Sequence, residues 1–247
     1  MISEEKIMSN WKDFLSIIKK NISQPRKGQL LKFYESQDER ISMLPASMKT
    51  SYHNAFPGGY VDHVIRVVNI GMDTFSLWKK YGANVNNFTK EELIFSALNH
   101  DLGKIGTLKE DAYLPQTDQW RKKNLGEEYM FNENLQFMEV PHRSIFLLQQ
   151  LDISFSMNEM IAILTHDGLY NKGNENYLMG YNPSTKPRNS LPYILHQADM
   201  MASRIEFETE WMSKLNNNSN VQNTPPKNKV KPTSTLDPSF KNILDSL

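Results

Sequence analysis

Four of the six histidines in this chain, with two aspartates, run in the order His63, His100-Asp101, His142, His166 and Asp199. Each lies on or beside a stretch whose apolar residues recur at helical spacing. A fold that buries those stretches draws scarce imidazoles toward a shared polar site. Imidazole nitrogens and carboxylate oxygens are the donors that first-row divalent metals accept.

The helical reading rests on periodicity and punctuation. Ile7, Trp11, Phe14, Leu15 and Ile18 repeat at helical spacing, with Ser3 and Glu4-Glu5 suited to a helix start. Leu30, Leu31, Phe33 and Tyr34 suggest a short second helix. A loop over 52–59 leads into a strong helix from about Tyr60 to Tyr81, with Gly82 as its stop. Thr89 and Glu92 form a capping box for a helix that ends near His100-Asp101. Pro141 fits the first turn of a helix carrying His142, and further helices are expected over Met157–Leu164 and Leu191–Leu215. Residues from about Gly106 to Val140 lack clear periodicity and read as a long irregular loop or a small hairpin. Residues 171–188 also read as loop. The fold class expected is all-α, a helical bundle with one long irregular loop.

Composition narrows the setting. Without cysteine, disulfides and thiolate metal sites are excluded. Lys plus Arg equals Asp plus Glu at 28 each, so net charge supplies no general attraction to nucleic acid. The first residues lack the basic and apolar regions of a signal peptide, and no apolar run approaches the ~20 residues of a membrane span. A cytoplasmic protein with no membrane association is the expectation. Composition then shifts at Asn216, where prolines and lysines replace large apolar residues. We read residues 1–215 as the main domain, 216–236 as a disordered linker, and 237–247 as a short helix-forming peptide that can dock on a protein partner.

The string His100-Asp101-Leu102-Gly103-Lys104, with His63 upstream and His142, His166 and Asp199 downstream, resembles the HD-domain superfamily of metal-dependent phosphohydrolases. The likeness spans roughly residues 52–210. Tyr52-His53, the stretch from Gly58-Gly59 to His63, and Arg143-Ser144 look like the branch containing 3′–5′ exoribonuclease HD domains; compact phage-encoded phosphohydrolases are similar too. The resemblance implies an all-α HD-domain bundle in which His63, His100, Asp101 and Asp199 hold one metal. It further implies that Asp101 bridges to a second ion on His142 and His166. Two His-Asp pairs are present, 100–101 and 166–167, and the Leu-Gly-Lys continuation favours the first as the bridge. Many two-metal relatives carry a second histidine where this chain has Asp167.

The implied cofactor is one or two divalent transition-metal ions (Mn, Fe, Co, Ni or Zn in preference to Mg), because the donor set is rich in nitrogen. Asp101 and Lys104 are the expected catalytic residues, with Lys104 neutralising a phosphate oxygen. His53, Arg121, Lys122, Arg143 and Tyr170 are candidate substrate contacts, and Trp120 through Lys123 reads equally as a solvated basic turn. His196, three residues before Asp199, is near the same helix face and could support the site, but reads first as a packed or solvent-facing imidazole. The expected substrate is a nucleotide or a nucleic-acid 3′ end. The competing expectation is a nucleotide-sensing adaptor that recruits a partner through its C-terminal peptide.

Overall fold

The computed structural model describes residues 2–219. The fold is all-α, with helices α1 (Glu4–Asn21), α2 (Arg26–Glu35), α3 (Asp38–Ser42), α4 (Gly59–Lys80) and α5 (Lys90–Asn99) in its first half. A 3₁₀ turn over Leu102–Ile105 follows α5. The second half holds α6 (Gln119–Leu125), α7 (Val140–Gln150), α8 (Met157–Thr165), α9 (Glu175–Leu178) and α10 (Leu191–Ser219). Residues Met1–Met212 form one compact unit. Among the described residues no helix is long and apolar enough to cross a membrane.

The periodic faces read from the sequence are the faces that pack. Phe14 and Ile18 of α1, Leu30 and Tyr34 of α2, and Val64, Val67 and Val68 of α4 join Leu93, Leu98, Ile163, Leu191, Ile194 and Leu195 in one core. Each such side chain, fully buried, contributes about 1.5–3 kcal/mol. Phe14 also meets the Tyr34 ring edge-on at 4.7 Å between centroids.

Helices α5 and α8 set the position of the polar centre. Each begins with a complete capping box, Thr89 with Glu92 and Ser156 with Glu159. The two boxes are joined, because Ser156 Oγ donates to Glu92 Oε1 at 2.6 Å. Buried Glu159 is held by Arg26, whose guanidinium lies over the Phe95 ring at 4.4 Å. With their starts pinned side by side, helices of 10 and 9 residues also end side by side. His100 and His166 are the residues that cap those ends, and their rings stand 4.7 Å apart.

The irregular segment before α7 contains more order than its sequence suggests. Strands β1 (Tyr113–Pro115) and β2 (Tyr129–Phe131) pair antiparallel, with Tyr113 opposite Phe131. Between them Trp120 through Lys123 lies inside α6, capped by Asp118, so the solvated turn that was one of two readings there is a helix. Helix α10 also runs to Ser219, four residues into the stretch read as linker. The remainder of that linker and the peptide 237–247 lie outside the described residues.

The pinned helix starts make a direct prediction. Ser156→Ala removes a cap and the inter-helix bond together, and should lower stability by about 1–3 kcal/mol in chemical denaturation. Ser154→Ala, two residues earlier and outside the capping box, serves as the control and should change stability by no more than about 0.5 kcal/mol.

Candidate metal centre

Four of the expected ligands meet in the core. His63 comes from α4, His100 and Asp101 from the end of α5, and Asp199 from α10. His63 Nε2 lies 3.1 Å from Asp199 Oδ1, 3.6 Å from Asp101 Oδ2 and 3.3 Å from His100 Nε2. His100 Nε2 is 3.4 Å from Asp101 Oδ2 and 3.7 Å from Asp199 Oδ1. Donors bound at about 2.0–2.2 Å to one ion stand roughly 3.0–3.5 Å from each other. His63, His100 and Asp199 form one group whose donor atoms could hold an ion, and Asp101 belongs with His100 and His166 to an adjoining one.

Tautomer provides the stronger test of fit. His100 Nδ1 lies 2.8 Å from the Ala97 carbonyl oxygen, and His166 Nδ1 lies 2.7 Å from that of Ile163. A carbonyl only accepts, so each Nδ1 must carry the hydrogen and donate. His63 Nδ1 likewise faces the Glu206 carboxylate at 3.0 Å. In the neutral rings Nε2 is then a bare lone pair, and those of His63 and His100 point at one another. Two facing lone pairs at that distance repel unless a cation or a proton lies between them. This group can hold a metal ion.

Charge in the cluster follows the same logic. Burial pulls His63 down, but the carboxylates of Glu206 and Asp199 outweigh it and hold the imidazole at about 10. His166 is likewise pulled down by burial yet held at about 9 by Asp167 and Asp101. Burial raises Asp101, and the opposing pull of Lys104 and His100 leaves it well below the carboxylate range. Lys104 Nζ sits 2.6 Å from Asp101 Oδ2; burial lowers its pKa, but the Asp101 charge leaves it above its ordinary value.

A further donor group surrounds His166. Its Nε2 lies 3.6 Å from Asp101 Oδ1 and 3.4 Å from Asp167 Oδ1, and Asp199 completes the set with His166 and Asp167. Asp101 thus turns one oxygen to His63 and His100 and the other to His166. The structure does not bring His142 to either group. Pro141, Ser144 and Leu148 occupy the inward stripe of α7, which leaves His142 57% exposed, with Nδ1 against Glu139 at 3.1 Å. Asp167 rather than His142 is the residue that joins His166 in that group.

The centre opens on a cavity of about 680 Å³ lined by Tyr52, His53, Lys104, Tyr113, Tyr170, Arg204 and Phe207, among others. His53 and Tyr170 therefore lie at this site. Arg121 and Lys122 do not: Arg121 pairs with Glu127 at 2.6 Å and Lys122 approaches Glu128 at 4.0 Å, both on α6. Arg143 is buried and donates to the carbonyls of Gly103 and Gln136. It braces the turn after Asp101 and lines a neighbouring hollow.

Two of the supporting residues, Glu206 and Ser144, were not among the expected site residues, and a third, His196, takes the supporting place that was weighed for it. Glu206 is buried and accepts from His53 at 2.8 Å, His63 at 3.0 Å and Arg66 at 3.0 Å. It lies seven residues, two helical turns, beyond Asp199, and that spacing is the signal that could have found it. Ser144 Oγ accepts from the Gly103 N–H at 2.8 Å and sits 2.9 Å from the His100 carbonyl, fixing the His-Asp turn. Gly103 permits that approach, since a Cβ there would overlap the Val140 carbonyl oxygen. His196 donates from Nδ1 to the His166 carbonyl at 2.8 Å, and Gly168, at φ +59°, leaves room for its ring.

Compared with protein-family models, curated proteins and solved structures, the chain matches none.

The tautomers and charges predict how an ion is taken up. His63 and His166 each carry an extra proton at neutral pH, and an ion must displace it. Apparent affinity for Mn or Zn should therefore rise with pH from 6 to 8, by up to about tenfold per proton per pH unit. Titration calorimetry in buffers of different ionisation heat should show proton release; affinity independent of pH would contradict the assignment. Glu206→Gln, which weakens the hold on His63 Nδ1, should reduce metal affinity about 10–100-fold in the same assay.

Proposed function

We propose that this chain is a metal-dependent phosphohydrolase of the HD-domain type, cleaving a phosphoester bond in a nucleotide or nucleic acid. One observation carries the reading: the buried imidazoles of His63, His100 and His166 gather with Asp101 and Asp199 beside a cavity that also presents charged Lys104 and aromatic side chains. His63, His100, Asp101 and Asp199 would hold the first ion. His166 and Asp167, sharing Asp101, are the donors for a second. Three imidazoles among these donors favour Mn, Fe, Co, Ni or Zn over Mg. When bound, such an ion supplies hydroxide at neutral pH by lowering the pKa of water toward about 7.

The protein's own groups account for the remaining requirements. Asp101 and Asp199 are held ionised by the surrounding imidazoles and Lys104, so they offer charge to the ion across the neutral range. Lys104 keeps its proton because Asp101 stabilises the ammonium; it acts as a fixed positive charge toward a phosphoryl oxygen rather than as a proton donor. Glu206, the Ala97 carbonyl and the Ile163 carbonyl hold the imidazoles in place through substrate turnover. Tyr52, Tyr170 and Phe207 give the cavity aromatic faces suited to a nucleobase.

The test is metal content by mass spectrometry, followed by hydrolysis of a panel of nucleotides, oligonucleotides and cyclic dinucleotides with Mn, Ni, Co and Mg. Asp101→Asn should reduce turnover at least about a hundredfold. His142→Ala, on the solvent side of α7, should leave turnover within about threefold of the parent. A metal-loaded parent inert across the whole panel would favour the adaptor reading instead.

A further inference from the structure

We infer that the substrate carries a nucleoside on each side of the scissile phosphorus, so that the reaction is cleavage of a phosphodiester and not of a terminal monoester. This rests on the phosphohydrolase reading and adds the substrate class to it. The cavity of about 680 Å³ is one of two that meet at the donor cluster; the second measures about 510 Å³. Both include Asp101, Lys104, Tyr113, Asp167 and Tyr170 in their walls. The polar centre is therefore the junction of two lobes and not the end of one. Each lobe falls within the range of about 300–1,000 Å³ that encloses a small ligand.

The lobes come from different parts of the chain. The first is built by the loop before α4 and by α10, and contributes Tyr52, Arg204 and Phe207. The second is built by β2, the approach to α7 and the segment after α8, and contributes Phe131, Phe137 and Lys172. Each thus pairs a cation with aromatic faces, the combination that takes a phosphate-linked base. Phe137, on the second lobe, is 75% exposed, and Tyr170, shared by both, is 77% exposed. Large aromatic faces left open beside a reaction centre are suited to being covered by substrate.

A phosphomonoester has one organic substituent and fills one lobe, leaving the other to water. A diester has two, leading away from phosphorus in different directions. In the reaction a water oxygen bonds to phosphorus, and the P–O bond to one nucleoside breaks. That bond's electron pair leaves with the oxygen, which takes up the proton the water gives up. The products, an alcohol and a phosphomonoester, separate into the two lobes.

Full-length, metal-loaded protein should be compared on a 3′–5′-linked dinucleotide and on the corresponding 3′- and 5′-mononucleotides, with parent and Phe137→Ala, Lys172→Ala forms. The dinucleotide should be preferred in kcat/KM by about tenfold or more, and Phe137→Ala should raise its KM about fivefold or more, as loss of one stacking face does. Metal content, read in parallel, should not change in either variant. Preference for a mononucleotide overturns the inference while leaving the phosphohydrolase reading intact, and so does a dinucleotide KM unmoved by both variants. Cleavage of neither class by metal-loaded protein removes the phosphohydrolase reading itself.

Discussion

In His63, His100 and His166 the Nδ1 hydrogen is committed to an acceptor, and that commitment decides what the other nitrogen can do. Two of the acceptors are carbonyl oxygens three residues earlier in the same helix, groups that a helix end leaves without partners. The third is Glu206, itself fixed by Arg66 and His53. The same bonds that finish α5 and α8 thus turn Nε2 inward. Geometry, tautomer and helix termination are one arrangement, and changing any of the acceptors changes all three.

Burying so many ionisable groups is expensive unless each is paired. Here the pairing is mutual. The carboxylates keep His63 and His166 protonated when no ion is bound, and the imidazoles with Lys104 keep Asp101 and Asp199 ionised. A proton and a divalent ion are alternative ways to satisfy the same donors. The groups that pair with one another here are also those that could hold a metal ion.

Much of this was legible in the residues, and the exceptions have physical causes. Apolar spacing located the long helices, and the Thr89–Glu92 box located the start of α5. The order of His and Asp placed His63, His100, Asp101 and Asp199 together, because each sits on a strongly periodic helix or at its end. His142 was misjudged by helix phase: Arg143 and Ser144 take the inward positions beside it, and their packing could not be read from composition. Asp167 gained its role because α8 repeats the design of α5, a capping box followed ten or eleven residues later by His-Asp. That likeness lies in caps and spacing, so it escapes a search for repeated sequence. The segment before α7 was unreadable because its strands are three residues long and α6 buries no residue, leaving little periodicity to detect.

Helix α10 carries both Asp199 and Glu206, one carboxylate at the centre and one behind His63. Since a polypeptide emerges from the ribosome N-terminus first, all three imidazoles are made well before these two acids. Until α10 docks, His63 has no anchor for its Nδ1 and the first donor group lacks an oxygen ligand. A chain cut short before residue 199 would still orient His100 and His166 through their own helix carbonyls, but would leave His63 without its Nδ1 acceptor and the first group without Asp199.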